Sequence, residues 1–381
     1  MKIVYIYPAL TTIGGADRII TDKANYFADF YDYDVHIITA HQNGVSPFFK
    51  LSNKVTHIDL DVNFLIQYKY SFFKRAIVYY YLLRKYKKRL SEKLMKIRAD
   101  YVITTISRDI DFIHTIPDGS IKIAEAHAPK KYLRNLHMMQ EKSLPYRIAG
   151  KIWEKKLERA AVKFDAFVVL TKQDAESWKN VRSCEVIPNP LPFLPTEQSS
   201  CEARKVISVG RLYHEKGYER LIEIWSKVAL NYPGWCLEIY GNGELEGKLR
   251  SMINDKKLDN SIFIKSPVKD IEEKYLNSSV YVMTSHFEGF GMVLLEAMAC
   301  GLPVIAFDCP VGPANIINDS IDGFLIDNGD IDSYSDKLRM LLQSHELRVN
   351  MGTEARENVK RFSKEKIMGD WQNLFTKLKS K

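Results

Sequence analysis

Short apolar runs alternate along the chain with stretches that carry one apolar stripe. Lys2–Tyr7 (KIVYIY) is a β-rich run, followed by a loop holding Gly14-Gly15 and a helix expected from about Ala16 to Phe30. Val35–Thr39, Tyr101–Thr105, Lys122–Glu125 and Ala166–Leu170 read as later strands. Buried parallel strands separated by helical stretches imply an α/β, doubly wound domain. Val186–Pro195 (VIPNPLPFLP) then packs four prolines into ten residues and continues neither a helix nor a central strand. Beyond the polar stretch Thr196–Arg204, Lys205–Arg211 starts a second set. Its strands are expected near Cys236–Tyr240, Ile262–Lys265, Val280–Thr284 and Val304–Phe307. The expected organisation is a first domain over 1–190, a linker over 191–204, a second domain over 205–362 and a final helix over 363–381. On that helix Ile367, Trp371, Leu374, Phe375 and Leu378 share one face.

Length supports two domains, since 381 residues is about twice an ordinary one. With 46% hydrophobic and 27% charged residues, a disordered chain, a collagen-like repeat and a disulfide-stapled miniprotein are excluded. No apolar run reaches the ~20 residues of a spanning helix. The chain opens on a strand where a signal peptide would stand. Five scattered cysteines without a C-x-x-C pair fit a reducing cytoplasm better than a zinc or disulfide framework. Charge is uneven: residues 1–190 hold 31 Lys/Arg against 20 Asp/Glu, and the remainder 24 against 27. A basic half of this kind is drawn to nucleic acid, anionic lipid or a phosphorylated ligand.

The strongest constellation is Ser285–Gly301 (SHFEGFGMVLLEAMACG), which follows a strand and turns into an apolar helix. If that helix begins near Gly291, Glu288 lies on the loop before it and Glu296 about a turn and a half inside. The amides of Phe290, Gly291, Met292 and Val293 then form a site for an anion. A bland alternative is a turn followed by a core helix with two incidental glutamates. Gly210–Gly217 (GRLYHEKG) weakens that alternative, because it sets Arg211 and Lys216 on another loop between strand and helix. Such loops, at strand C-termini, bind ligands in doubly wound domains. Arg211 offers a planar fork to phosphate oxygens and Lys216 a point charge.

Gly14-Gly15 occupies the equivalent loop of the first domain, with Gly15 able to bring its backbone to a phosphate, or to form only a tight turn. Tyr240-Gly241-Asn242-Gly243 approaches a dinucleotide fingerprint, but its next glycine, Gly247, is one place late, so it reads as a neighbouring loop and not an NAD clamp. His127, in AEAHAP just past an apolar run, is expected at a substrate hydroxyl, although a lone histidine is more often structural. Glu125 can simply alternate within its strand. His36, His57 and His214 read as structural or surface residues.

GRLYHEKG, the glutamates eight apart in FEGFGMVLLEAMACGLPVI, the Gly14-Gly15 loop and the VIPNP linker together resemble the retaining GT-B glycosyltransferases that use nucleotide sugars. The nearest group in pattern is the bacterial one that builds capsule, lipopolysaccharide and lipid-linked glycans, also described as glycosyl transferases group 1 or family 4. The resemblance spans nearly the whole chain and is most specific between Val206 and Gly323. It implies two Rossmann-like domains facing across a cleft, the first for acceptor and the second for nucleotide sugar, with the final helix crossing back onto the first. By the same resemblance Arg211 and Lys216 neutralise the departing diphosphate, and Glu296 holds the ribose hydroxyls. Glu288 contacts the transferred hexose, aided by the amides of Phe290 to Val293. Gly15 approaches the diphosphate, and His127 binds a sugar hydroxyl near the anomeric carbon. The segment around His127 departs from the His-Ser-Pro form of many relatives. Phe307–Pro313 (FDCPVGP) is similar to members that use UDP-galactose-type or UDP-N-acetylhexosamine donors.

The expected activity is therefore transfer of a hexose or N-acetylhexosamine, from a UDP-linked donor, to a glycan or lipid-linked acceptor. Competing readings are a sugar-nucleotide epimerase, a phosphorylase needing pyridoxal phosphate on a lysine, or a silent sugar-binding protein. Fixed cations and amide dipoles can stabilise the leaving diphosphate without a metal. The two Asp-x-Asp pairs, Asp59/Asp61 and Asp109/Asp111, read as surface alternation, so no metal or other cofactor is expected. Tyr68–Arg98 carries eleven Lys/Arg and one acidic residue, Glu92, among Phe72, Phe73, Tyr79, Tyr80, Tyr81 and Leu82. That stretch reads as a helix for an anionic membrane surface, or as one that packs its aromatics on the core. Nucleic acid would explain the charge but not the glutamates. The expected location is cytoplasmic, at the inner face of the cell membrane.

Overall fold

The computed structural model describes residues 1–135 and 144–380. The chain divides into two compact units, Met1–Pro188 with Ile367–Lys381, and Asn189–Lys366.

The first unit is built on β1 (Lys2–Tyr7), α1 (Gly15–Asp29), β2 (Asp34–Thr39), β3 (Val55–Asp59), α2 (Phe72–Ile97), β4 (Tyr101–Thr104), β5 (Ile121–Glu125), α3 (Leu144–Ala161), β6 (Ala166–Val169), α4 (Lys172–Ser177) and β7 (Cys184–Val186). All seven strands pair in parallel, in the order β3-β2-β1-β4-β5-β6-β7. Alternating side chains bury both faces. Val4 and Ile6 join the core that holds α2, and Ile3 and Tyr5 join the one beneath the C-terminal helix.

The second unit runs β8 (Lys205–Val209), α5 (Tyr218–Val228), β9 (Cys236–Tyr240), α6 (Glu246–Asp255), β10 (Ile262–Lys265), α7 (Ile271–Leu276), β11 (Val280–Met283), α8 (Met292–Ala299), β12 (Val304–Asp308), β13 (Gly323–Asp327), α9 (Ile331–Gln343) and α10 (His345–Val359). Its six-stranded sheet has the order β10-β9-β8-β11-β12-β13. In both sheets the order reverses beside the first strand, between β1 and β4 and between β8 and β11. Loops at the C-terminal ends of such strands are where doubly wound sheets commonly bind ligands.

Stretch 191–204 lies along the second unit instead of hanging free. Ser199 N–H donates to the Cys300 carbonyl at 2.8 Å, Arg356 donates to the carbonyls of Pro195 and Glu197, and Arg348 to that of Cys201. Two arginines of α10 thus satisfy backbone oxygens that a proline-rich strip cannot pair in a sheet.

The C-terminal helix α11 (Lys364–Lys379) buries its apolar face, Ile367, Trp371, Leu374, Phe375 and Leu378, within the first unit. The Phe375 ring lies 4.5 Å from that of Tyr101 and 5.5 Å from that of Phe27, and Tyr101 Oη donates to the Phe375 carbonyl at 2.7 Å.

Helix α2 divides along its length, and its later part packs on the core as one reading of the basic stretch expects. Leu82, Tyr86, Leu90 and Leu94, four residues apart, pack on the core. Phe73, Ile77, Tyr80 and Tyr81 near its start stand exposed, at 83%, 71%, 56% and 67%. The side chain of Phe72 lies outside the described residues. Among the described residues no helix is long and apolar enough to cross a membrane.

Candidate functional site

The reversal between β8 and β11 brings together the loops singled out in the sequence. Gly217 closes the first with φ of 63°, and a Cβ there would lie 2.2 Å from the Thr284 carbonyl oxygen. Only glycine allows the β8 loop to press this closely on the end of β11. The Thr284 hydroxyl donates to the Gly217 carbonyl at 2.9 Å, and His286 N–H donates to that of Glu215 at 2.8 Å. His214, read as a structural or surface residue, stacks on His286 with ring centroids 4.5 Å apart.

The result is a buried carboxylate held by two donors. Lys216 Nζ donates to Glu288 Oε1 at 2.7 Å, and the Ser285 hydroxyl donates to the same oxygen at 2.6 Å. Glu288 is buried and Lys216 half-buried. Arg211 reaches outward, pairs with Glu215 at 2.9 Å and lies over the Tyr213 ring. It is an exposed fork, not part of the Glu288 pair.

Helix α8 begins at Met292, capped by Gly291 in the left-handed region with φ of 101°. The amides of Met292 and Val293 therefore sit in its first turn, where no intrahelical acceptor exists, with those of Phe290 and Gly291 just before. Glu296 is the fifth helical residue; its Oε2 accepts from Tyr275 Oη at 3.1 Å. Burial, and after it the neighbouring Tyr218, Glu288 and Glu296, pushes the phenol of Tyr281 on β11 well above the usual range. The Tyr240–Gly243 loop packs directly on the Arg211 loop: Leu212 N–H donates to the Asn242 carbonyl at 2.8 Å.

Two contributors escaped the sequence reading. Ser285 was counted only as the start of a motif. The loop after β12 was read only as a sign of donor type, yet it packs on the same glutamate. A Cβ at Gly312 (φ 115°) would lie 2.8 Å from the Phe290 carbonyl oxygen and 3.1 Å from Glu288 Cβ. Val311 beside it has φ of 62°, a strained conformation for a β-branched residue.

In the first unit, Gly14 caps α1 and Gly15 opens it. The loop is shaped by Asp17, whose carboxylate accepts from Tyr7 Oη at 2.7 Å and from Thr12 N–H at 2.8 Å. His127 follows β5, largely buried, with Nε2 3.5 Å from Glu125 Oε1. Glu125 does more than alternate in its strand: it is buried and paired with Lys23 of α1 at 2.5 Å. Burial would raise its carboxyl, but Lys23 and His127 outweigh this and hold it at about 2.

The Asp-x-Asp readings need a correction. Asp109 is fully buried and takes hydrogen bonds from Thr104 and Tyr86, so it is a core carboxylate and not a surface one. Asp59 accepts from the Thr39 hydroxyl and the Gln42 amide, while Asp61 and Asp111 face solvent near Arg89 and Lys156. Among the described residues no group of three or more His, Cys, Asp or Glu side chains is placed to hold a metal ion.

Residues 196–358 match the family described as glycosyl transferases group 1. That stretch lies within the second unit. The chain is 27% identical to an uncharacterized glycosyltransferase of Haemophilus influenzae over 98% of its own length and 99% of the relative's. It is 39% identical to an amylovoran biosynthesis glycosyltransferase of Erwinia amylovora, over 54% of this chain and 61% of that one. In structure it is similar to S. aureus TarM, solved with UDP and alpha-GlcNAc-glycerol among its ligands. The TM-score is 0.78 at 18% identity, covering 98% of this chain and 99% of that one. That likeness is one of fold, and the fold is GT-B.

Proposed function

We propose that this group 1 glycosyltransferase moves a hexose or N-acetylhexosamine from a UDP-linked donor to a glycan or lipid-linked acceptor of the cell surface. In this reading the donor's anomeric configuration is retained and no metal ion takes part. The observation that carries the reading is the Lys216–Glu288 pair, with Ser285, beside the free amides of α8 at a sheet reversal. UDP and a GlcNAc-bearing ligand in the TarM structure, and the amylovoran role of the Erwinia relative, favour the donor and acceptor classes.

Transfer builds positive charge on the anomeric carbon and negative charge on the departing diphosphate. Fixed donors aimed at that charge lower the barrier without reorganising. Lys216 and Arg211 supply cations, and the amides of Phe290, Gly291, Met292 and Val293 supply dipoles at the helix N-terminus. In this reading Glu288 accepts hydrogen bonds from the hexose, and Glu296 from the ribose. Gly15 and His127 are assigned to diphosphate and sugar hydroxyl respectively. The exposed aromatic and cationic start of α2 is assigned to an anionic membrane surface on the cytoplasmic side.

Thermal melting against UDP, GDP, ADP and their sugars tests the donor class, because a ligand at a hundred times its Kd adds about 2.7 kcal/mol. A shift with UDP and one UDP-sugar is expected. The glycoside then formed should keep the donor's anomeric configuration by NMR, and its rate should survive a chelator. No shift with any nucleotide, an inverted product, or activity lost to chelator and restored by magnesium would each overturn its own part.

A further inference from the structure

The first unit contains a buried ion pair that folding alone does not call for. Lys23 and Glu125 side chains are each 1% exposed, and their Nζ and Oε1 atoms are 2.5 Å apart. Two apolar side chains of similar volume would fold as well or better, because desolvating both charges costs several kcal/mol per ion. Three neighbours give the pair a use. Lys23 Nζ lies 3.9 Å from the centroid of the Trp371 ring on α11 and 5.7 Å from that of Tyr5. Those aromatic faces stabilise the cation, which has one carboxylate partner for its three donors. On the far side Glu125 Oε1 meets His127 Nε2 at 3.5 Å, the outer edge of hydrogen bonding and a separation that can shorten when substrate binds. Glu125 Oε2 and both ring nitrogens of His127 are buried without hydrogen-bond partners among the described residues, so the 3.5 Å approach stops just short of a formed hydrogen bond.

We propose that Lys23 and Glu125 are positioning residues for His127, and that the docked C-terminal helix acts on His127 through them. Glu125 accepts the Nε2 proton, which fixes the ring in one tautomer and leaves the Nδ1 lone pair to accept a hydrogen bond from a sugar hydroxyl. Lys23 keeps Glu125 ionised in the core, and Trp371 closes Lys23 from water. The role of the hydroxyl rests on the functional reading above; the tautomer does not.

The test uses the full chain with nitrogen-15 histidine, the His127 signals being identified by their loss in His127→Gln. The wild type is expected to carry its ring proton on Nε2. Removing Glu125 alone would strand a buried lysine, so the informative variant is Lys23→Met with Glu125→Met, which leaves an apolar pair. Melting and UDP binding report that it folds. It is expected to show mixed tautomers and a kcat lower by about tenfold to a hundredfold, the order expected of a misplaced group. The KM for donor should change less than about twofold, because the Lys216–Glu288 constellation is untouched. Trp371→Leu should shift the tautomer in the same direction, and Trp371→Phe, which keeps an aromatic face, should not. An unchanged tautomer in the double variant overturns the proposal whatever the activity. A shifted tautomer with unchanged turnover overturns the catalytic use of the device. A wild-type chain that makes no glycoside from any donor sinks the functional reading instead, and leaves the tautomer result to stand alone.

Discussion

Lys216 and Glu288, 72 residues apart in sequence, share a 2.7 Å hydrogen bond at the point where the second sheet reverses its strand order. The contact depends on Gly217, whose missing Cβ lets the two loops touch, and on Ser285, which adds a second donor to the same oxygen. Both donors reach the same Glu288 oxygen, which under the proposed function leaves its second oxygen for the sugar and two further Lys216 protons for phosphate.

Replacing either partner should therefore damage the reaction more than the fold. Lys216→Ala leaves Glu288 with its Ser285 contact, and Glu288→Ala leaves a lysine that is still in part open to water. Each is expected to lower the transfer rate by well over about tenfold, since removing one aimed electrostatic group costs about 10²–10³ in comparable sites. Steady-state rates and melting curves on both variants decide the matter. Near-normal turnover in either folded protein would remove the pair from the proposed site.

How much of this was legible in the sequence depends on whether a residue's partner lies nearby in the chain. Central strands such as Ile3–Ile6 and Val304–Phe307 are apolar without interruption because both faces are covered, and they were readable directly. Strands β3, β7 and β13 were not, and all three are sheet edges. β3 buries only Val55 of its five residues, β7 is three residues long, and β13 opens on Gly323. The same contrast holds within the sites. Arg211, Lys216 and Glu288 stand in local motifs at strand ends. Gly312 and Lys23 matter only through contacts that the fold creates, the Lys23–Glu125 pair joining residues 102 apart. Asp109 looked like surface alternation because its two neighbouring letters, not Thr104 and Tyr86, are what the sequence displays.

The Lys23–Glu125 pair also leaves a mark on acid stability. Burial opposes ionisation of Glu125, yet Lys23 and His127 bring its carboxyl down from an ordinary 4.5 to about 2. Between those values the unfolded chain takes up a proton that the folded chain refuses, so the stability the charge provides is complete above pH 4.5 and lost as pH falls through 2. Urea unfolding of the wild type and of the Lys23→Met, Glu125→Met variant should accordingly diverge with pH. The wild type should lose ground on acidification from about pH 5 toward 3, and the variant should lose less. Parallel pH profiles would show that the pair carries no linkage of this kind.

The start of α2 makes a separate prediction, because its chemistry differs from that of the sites. Phe73, Ile77, Tyr80 and Tyr81 are exposed on a segment whose cations fold back over neighbouring rings, Arg75 at 4.2 Å from the Tyr68 centroid and Arg84 at 4.8 Å from that of Tyr80. A second exposed set, Leu144, Tyr146, Ile148, Ile152 and Trp153, lies on α3 among Arg147, Lys151, Lys155 and Lys156. Water gains nothing from such rings, whereas the headgroup region of an anionic leaflet accommodates both the rings and the cations. Each Lys or Arg near that surface contributes about 1 kcal/mol. Reversing Lys74 and Arg75 to glutamate should weaken binding to vesicles containing anionic lipid by at least about tenfold. Replacing Phe73 and Ile77 by serine should weaken it at every salt concentration, because apolar burial is not screened as charge is. Sedimentation with anionic and with neutral vesicles separates the two contributions. Equal binding to both, or none to the anionic vesicles at low salt, would leave the exposed face of α2 without a lipid role.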